Sequence, residues 1–348
     1  MSFIIKNGGK MMRLFEFTGE RVIKTGIAVF LTAWICELIG WPPVFAVITA
    51  IVTIEPTVSD SIRKGLIRFP ASAIGSAYTV FFISMFGQSP ITYTLSAVLT
   101  ILTCYKLNLH AGLLVATLTA VAMVEVVHSH FLIAFFIRLG TTTIGLLVST
   151  AVNMLILPPD YSKDITNDIQ QISKKTGKLL YKVFHDILED RHDDDIDDRK
   201  ALKRMRNKII RAESLIRYQE DEARFHPLVG IEKSNAKKAK QQLNSLRMII
   251  YHIENLVYTP LEKISWTKAD RQNILHSIRI LEEAMQQPKK YHKNYLHKQI
   301  KQLTTLFWED NKEMVSSEEH PTHFPPELIV LYELIAIYQH IENFYNED

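Results

Sequence analysis

The sequence predicts an all-α protein: a six-span transmembrane helical domain, built from an inverted three-helix repeat, followed by a cytoplasmic helical bundle. Three observations lead to this prediction. Charged side chains are rare in residues 1–159, which contain 16, and frequent in residues 160–348, which contain 61. Six apolar runs fill the first part, and a 30-residue stretch recurs at an offset of 70 positions. We expect a cytoplasmic N-terminal segment (1–21), a membrane domain (22–159) and a cytoplasmic domain (160–348).

The apolar runs are the candidate membrane spans. A helix needs about 20 residues to cross a hydrocarbon core of about 30 Å. Four of the runs approach or reach that length, and the other two are short, which is typical of broken or tilted helices. The six segments cover residues 22–39, 42–55, 69–87, 90–105, 110–127 and 131–157. The two cysteines, Cys36 and Cys104, lie in these runs, so we expect buried thiols and no disulfide scaffold.

Basic residues predict the orientation of the spans. Lysine and arginine occur before the first segment and in alternate connections, at Arg63, Lys64 and Lys106 among others. The remaining connections, around 40–42, 87–89 and 128–130, contain neither residue. Because cytoplasmic loops carry the excess of lysine and arginine, both termini are predicted to be cytoplasmic. The highly charged second part agrees with this placement.

The repeat relates residues 46–75 to residues 116–145. Nine of the 30 ungapped positions are identical. Three spans in each copy mean that the second copy enters the membrane from the opposite side, as in the inverted repeats of many transporters, where the substrate path lies near the repeat interface.

An acid and an arginine recur in both copies. Glu55 and Arg68 in the first copy correspond to Glu125 and Arg138 in the second. Ionisable residues at membrane depth are costly and usually face a partner or a water-filled path. We therefore predict an acid–base gating pair at each mouth of the path. The alternative is that these side chains snorkel to lipid headgroups and only fix the depth of the helices.

Small and hydroxylated residues also recur. Ser72 corresponds to Thr142, and we place both on the predicted substrate path. Gly75 corresponds to Gly145, and glycines at such positions allow close helix packing in membranes.

Three segments carry a family resemblance: WPPVFAVITAIVTIEPTVSDS at 41–61, RFPASAIG at 68–75 and RLGTTTIGLLVSTAVNMLILPP at 138–159. They resemble the aromatic-acid exporter and fusaric-acid-resistance superfamily, in its short Gram-positive branch, with plant aluminium-activated malate channels as remote kin. The sequence departs from the usual Gly-Thr pair at Ala71-Ser72, and Pro70 is expected in the first turn of the third span. Long members contain two membrane-plus-tail units, so the resemblance implies that this single unit forms a homodimer.

The second part reads as helices without a cofactor motif. Apolar residues follow helical spacing over 165–188, and further helices fit 199–223, 231–258, 267–286, 291–315 and 326–346. There is no phosphate-binding loop, and 30 basic against 31 acidic side chains leave no nucleic-acid footprint. His320 and His323 lie on a proline-broken stretch that we read as a solvated loop rather than a metal site, so no metal or cofactor is predicted.

These features predict a plasma-membrane transporter rather than an enzyme. The resemblance implies export of small organic anions, aromatic carboxylic acids foremost, driven by the membrane potential or a proton gradient. The sequence itself contributes the repeat and its two arginines. Two alternatives stay open: an organic-anion channel, and a membrane-anchored interaction protein whose helical tail binds a partner.

Overall fold

The computed structural model confirms the all-α fold. It describes residues 5–126, 131–156, 159–190, 195–228, 230–261, 264–287, 291, 293–315 and 325–346. Within these residues it contains twelve α-helices and one short 3-10 helix. The chain divides into two compact units: the first contains residues Met1–Pro159 and Glu220–Pro227, and the second contains Asp160–Gln219 and Leu228–Asp348.

The first unit contains the apolar helices. Their bounds are α1 (Ile5–Ile39), α2 (Val44–Thr53), α3 (Val58–Phe86), α4 (Pro90–Lys106), the 3-10 helix (His110–Gly112), α5 (Leu113–Val126) and α6 (Phe131–Leu155). In the described part of the chain, three helical stretches are long and apolar enough to cross a membrane: Gly19–Ile39 of α1, α3 and α6. The helices at Val44–Thr53 and His110–Glu125 are apolar but shorter.

Helix α3 begins earlier than the apolar run predicted. It starts at Val58 rather than at residue 69, because the Thr57 hydroxyl accepts the backbone N–H of Asp60 at 3.1 Å and caps the helix. The basic residues Arg63 and Lys64 therefore lie in a helix and not in a connection. The expectation that Pro70 occupies a first turn was wrong, since this proline lies well inside α3.

Two glycines allow pairs of helices in the first unit to approach each other closely. Helix α3 packs against α5, and α2 packs against α6. A Cβ atom on Gly75 would lie 2.5 Å from the carbonyl oxygen of Ala116, and one on Gly145 would lie 2.4 Å from the carbonyl oxygen of Ala46. Glycine is required at both places because any side chain would meet the backbone of the facing helix.

The outer faces of these helices are apolar. On α1 and α6, large hydrophobic side chains leave half or more of their surface uncovered: Phe30, Trp34, Leu38, Leu132, Ile133 and Phe136. A soluble protein rarely exposes such continuous apolar faces, whereas lipid tails cover them at no cost.

The second unit is a helical bundle around one core. In its described residues the helices are α7 (Ser162–Leu188), α8 (Asp195–Glu222, whose last turn belongs to the first unit), α9 (Ile231–Tyr258), α10 (Lys268–Gln286), α11 (Lys293–Val315) and α12 (Pro326–Tyr345). Helix α7 packs against α9 and α10, and α12 packs against α9 and α11. Apolar residues at helical spacing, such as Leu180, Ile253 and Ile337, are fully buried at these contacts.

Candidate functional site

The first predicted acid–base pair is formed in the structure. Glu55 follows the end of α2, and its carboxylate accepts a hydrogen bond from Arg68 Nη2 at 2.6 Å and another from Lys64 Nζ at 2.8 Å. Arg68 also donates from Nε to the carbonyl of Ala111 at 3.3 Å. Both partners of the pair are largely covered by protein. The arginine thus holds the 3-10 helix before α5 and the segment after α2 to α3.

The second predicted pair is not formed. Arg138 Nη2 donates to the hydroxyl of Thr119, and the guanidinium carbon lies 4.3 Å from the centre of the Phe45 ring. Glu125 is exposed and accepts a hydrogen bond from the hydroxyl of Tyr93. The prediction that Glu125 meets Arg138 was wrong here because the arginine engages Thr119, six residues or about 9 Å before the acid along α5.

Arg138 is a buried cation with unused hydrogen-bond donors. The residue is 2 % exposed. Its Nε and Nη1 atoms are buried and have no hydrogen-bond partner, and no carboxylate among the described residues pairs with it. An unpaired charge in such a place costs several kcal/mol, so the site is suited to an anion that supplies the missing partner.

Hydroxyl groups line the contact between α3 and α6. The oxygens of Ser72 and Thr142, which are 70 positions apart, lie 3.4 Å from each other. Both residues are fully buried. Further buried hydroxyls lie on the helices around them: Thr49, Thr53, Ser76, Thr79, Thr141 and Ser149. Several donate to a carbonyl one turn earlier in their own helix, which leaves the oxygen lone pairs available to a passing polar group.

A hydrogen-bonded network at the end of α2 was missed by the sequence analysis. Lys24 Nζ donates to Asn153 Oδ1 at 3.0 Å, and Asn153 Nδ2 donates to Ser61 Oγ at 2.9 Å and to the carbonyl of Glu55 at 3.1 Å. Lys24 is 5 % exposed and Asn153 is fully buried. The available signal was that both polar residues lie within predicted spans, where such residues are costly and usually functional.

The same network donates hydrogen bonds to the backbone carbonyl groups at the end of α2. Ser61 Oγ donates to the carbonyl of Thr53 at 3.0 Å, and Arg21 Nη2 donates to that of Ile54 at 3.2 Å. The last carbonyls of a helix have no partner within it and carry partial negative charge. Cationic and hydroxyl side chains therefore stabilise the short break between α2 and α3.

No metal site is found in the described part of the chain. No group of three or more His, Cys, Asp or Glu side chains is placed there to hold an ion. The stretch with His320 and His323 lies outside the described residues. Both cysteines are buried and free, as the sequence predicts.

Helices long and apolar enough to cross a membrane, packed around buried arginines and a hydroxyl-lined contact, define a helical membrane protein. Residues 16–156 match the model of aromatic acid exporter family member 1. The chain is 48% identical to a UPF0421 protein of Oceanobacillus iheyensis, over 96% of this chain and 97% of the relative. It is 40% identical to a UPF0421 protein of Bacillus cereus, over 95% and 94%, and 35% identical to one of Staphylococcus haemolyticus, over 95% and 98%.

The chain belongs to the aromatic acid exporter family, in the branch of these Gram-positive UPF0421 proteins. The resemblance carried by the three sequence segments is confirmed. The family and the apolar helices make it a multi-pass membrane protein.

Proposed function

We propose that this protein exports small organic anions, aromatic carboxylic acids foremost, across the plasma membrane, driven by the membrane potential or the proton gradient. The family relationship supports transport of aromatic acids in general. The observation that carries the proposal is the buried guanidinium of Arg138, which has unused donors and an aromatic ring beside it.

The surroundings of Arg138 fit an aromatic carboxylate. A guanidinium has five N–H donors, and Thr119 takes one of them. The remaining donors lie along planar edges that match the two oxygens of a carboxylate. The Phe45 ring and the neighbouring apolar side chains can contact an aromatic ring that is joined to that carboxylate. The anion would also supply the negative counter-charge that the buried arginine lacks.

Transport in this proposal uses the two halves of the repeat in turn. In this proposal the chain has six spans, and the distribution of its basic residues puts the 1–21 segment and the 160–348 domain in the cytoplasm. Glu55 holds Arg68 until the carboxylate of the substrate replaces it, while Arg138 is free to receive the anion in the structure described here. Glu125, engaged with Tyr93, marks the opposite mouth.

The remaining predicted site residues have supporting roles. In this proposal Ser72 and Thr142, whose oxygens lie 3.4 Å apart, line the path and offer hydroxyl groups to the moving anion. Gly75 and Gly145 allow the close packing of the facing helices around this path. Two copies of the chain form a homodimer, as the two-unit architecture of longer relatives implies.

Efflux from liposomes tests the proposal. Purified protein is reconstituted with radiolabelled benzoate inside, and efflux is compared for the parent, Arg138→Lys and Arg138→Gln. We expect the lysine variant to export at least about tenfold more slowly, because loss of one charge-assisted hydrogen bond costs about 1.5–3 kcal/mol. The matched control is Arg63→Lys, since Arg63 is an exposed arginine of α3.

Two outcomes would count against this function. Export by Arg138→Lys at the parental rate would make Arg138 a depth anchor that snorkels as lysine does. Conductive flux that does not saturate with benzoate and follows the membrane potential alone would favour the anion-channel alternative.

A further inference from the structure

Lys24 is a buried amine without a direct carboxylate partner. It lies in the apolar part of α1 and is 5 % exposed. Its one hydrogen bond among the described residues runs to the neutral amide oxygen of Asn153. A structural lysine that only neutralises charge would contact an acid, so this arrangement calls for another explanation.

The charged groups around Lys24 act on it through space. Glu20 and Arg21 lie on the same helix, and Glu222 approaches from the 220–227 segment of the first unit. Glu222 is itself engaged, because it accepts the backbone N–H of Val58 at 3.1 Å and pairs with His226 Nδ1 at 2.8 Å. Arg21 is bonded to the carbonyl of Ile54. None of these groups shares a hydrogen bond with the ammonium of Lys24.

Asn153 links Lys24 to the gate residue Glu55. The ammonium form of lysine can only donate, so it fixes the Asn153 oxygen toward Lys24 and leaves Nδ2 for Ser61 and the carbonyl of Glu55. A neutral amine has a lone pair and can accept from Nδ2, which would turn the amide and release the Glu55 carbonyl. The protonation state of Lys24 therefore decides whether Asn153 is bonded to the backbone carbonyl of Glu55, the residue whose carboxylate holds Arg68.

The position matches that of a coupling cation. In transporters with broken helices, unwound carbonyls and the C-terminal ends of half-helices hold the coupling Na⁺ or H⁺. Here the carbonyl groups in the break after α2 are bonded to the cationic side chain of Arg21 directly and are linked to that of Lys24 through Asn153. A guanidinium keeps its proton under all ordinary conditions, whereas a lysine amine can lose it.

We propose that Lys24 is the proton-binding group that couples anion export to the proton gradient; this inference rests on the proposed function. A proton taken from water on the outer side adds to the amine lone pair to give the ammonium, which locks the Asn153 bridge and the Glu55 gate. The proton then leaves to water on the cytoplasmic side as the bridge turns. One proton moves inward for each cycle in which an anion moves outward.

The test measures efflux of radiolabelled benzoate from liposomes at zero membrane potential, with and without an imposed pH gradient. We expect the gradient to accelerate the parent several-fold. Lys24→Arg keeps the charge but cannot release the proton, so its efflux should show no response to the gradient. The matched control, Lys106→Arg, replaces an exposed lysine at the end of α4 and should respond as the parent does.

The outcomes separate this inference from the proposed function. A Lys24→Arg variant with the parental response to the pH gradient overturns the inference. A parent that exports benzoate but ignores the gradient also overturns it and leaves the export function standing. A parent that exports no benzoate under any gradient removes the export function, and the inference with it.

A second measurement covers the case in which Lys24→Arg does not fold. Benzoate is added to the detergent-purified parent in weakly buffered solution, and the protons taken up or released are measured. The inference requires a proton change in the parent that is absent in Lys24→Gln. No proton change in the parent, or an equal one in the variant, overturns it.

Discussion

At the residue scale, two acids that occupy the same position of the repeat have different environments. Glu55 is covered and bonded to Arg68 and Lys64, whereas Glu125 is exposed and bonded to Tyr93. The identity of residue types at an offset of 70 positions predicts related positions in the fold. It does not predict which hydroxyl or cation lies nearest, because that depends on side chains from other helices.

This difference predicts unequal effects of neutralising the two acids. Glu55→Gln leaves the buried cation of Arg68 without its counter-charge, and breaking such a pair costs about 3 kcal/mol. We expect the apparent melting temperature in mild detergent to fall by about 5–10 °C. Glu125→Gln, the matched control, keeps an oxygen that accepts from Tyr93, and should shift the melting temperature by less than about 2 °C. Equal destabilisation by both changes would contradict the assignment of Arg68 to a buried ion pair.

At the scale of helices, apolar runs predict where spans lie better than where helices begin. The fourth run, 90–105, matches α4, and the sixth, 131–157, nearly matches α6. The third run missed the first turns of α3, since a capped helix continues through charged residues that hydropathy excludes. Hydropathy indicates which residues lie in the hydrocarbon core, whereas the backbone hydrogen bonds of a helix continue beyond the edge of that core.

The close contact between α2 and α6 predicts a strict requirement for glycine. In Gly145→Ala the new Cβ would lie 2.4 Å from the Ala46 carbonyl oxygen and 2.9 Å from Thr49 Cβ, so α6 must move away from α2. We expect a loss of about 1–3 kcal/mol, measured as a lower apparent melting temperature in detergent. The control is Gly26→Ala in α1, where no atom lies within 4 Å of the new Cβ, and alanine favours the helix. A Gly145→Ala protein as stable as Gly26→Ala would show that the two helices are not in close contact.

At the scale of the whole molecule, composition and periodicity predicted the helical architecture, and the resemblance of three segments to known exporters predicted the family. The contacts of the candidate site were predicted only in part. Arg68 and Glu55 were candidates because both residue types recur in the repeat, and the two side chains form an ion pair. Arg138 was identified too, but its neighbours Phe45 and Thr119 were not. The Phe45 contact joins α2 and α6, which are far apart in the chain, and the apolar sequences of these helices would fit several packings. Which packing forms depends on contacts between several helices, and these contacts cannot be read from a single sequence.

The orientation of the chain in the membrane is the last prediction. The distribution of basic residues and the charged second part predict that Arg63 lies on the cytoplasmic side and the turn at Ser89 on the outer side. In a background in which the buried Cys36 and Cys104 are replaced by alanine, we expect Ser89→Cys to react with an impermeant maleimide on intact cells. Arg63→Cys, an exposed position of α3, should react only after the cells are lysed.

The labelling pattern also decides the direction of the proposed cycle. Lys24, Asn153 and Glu55 belong to one end of the helices, and Glu125 belongs to the other. If position 63 is labelled on intact cells, the Glu55 gate faces outward, and a proton leaving Lys24 would move out of the cell. A proton that leaves the cell moves against the inward proton gradient, so it could not drive export of the anion. Labelling at position 89 alone keeps the Lys24 network on the side from which an exporter must collect its anion.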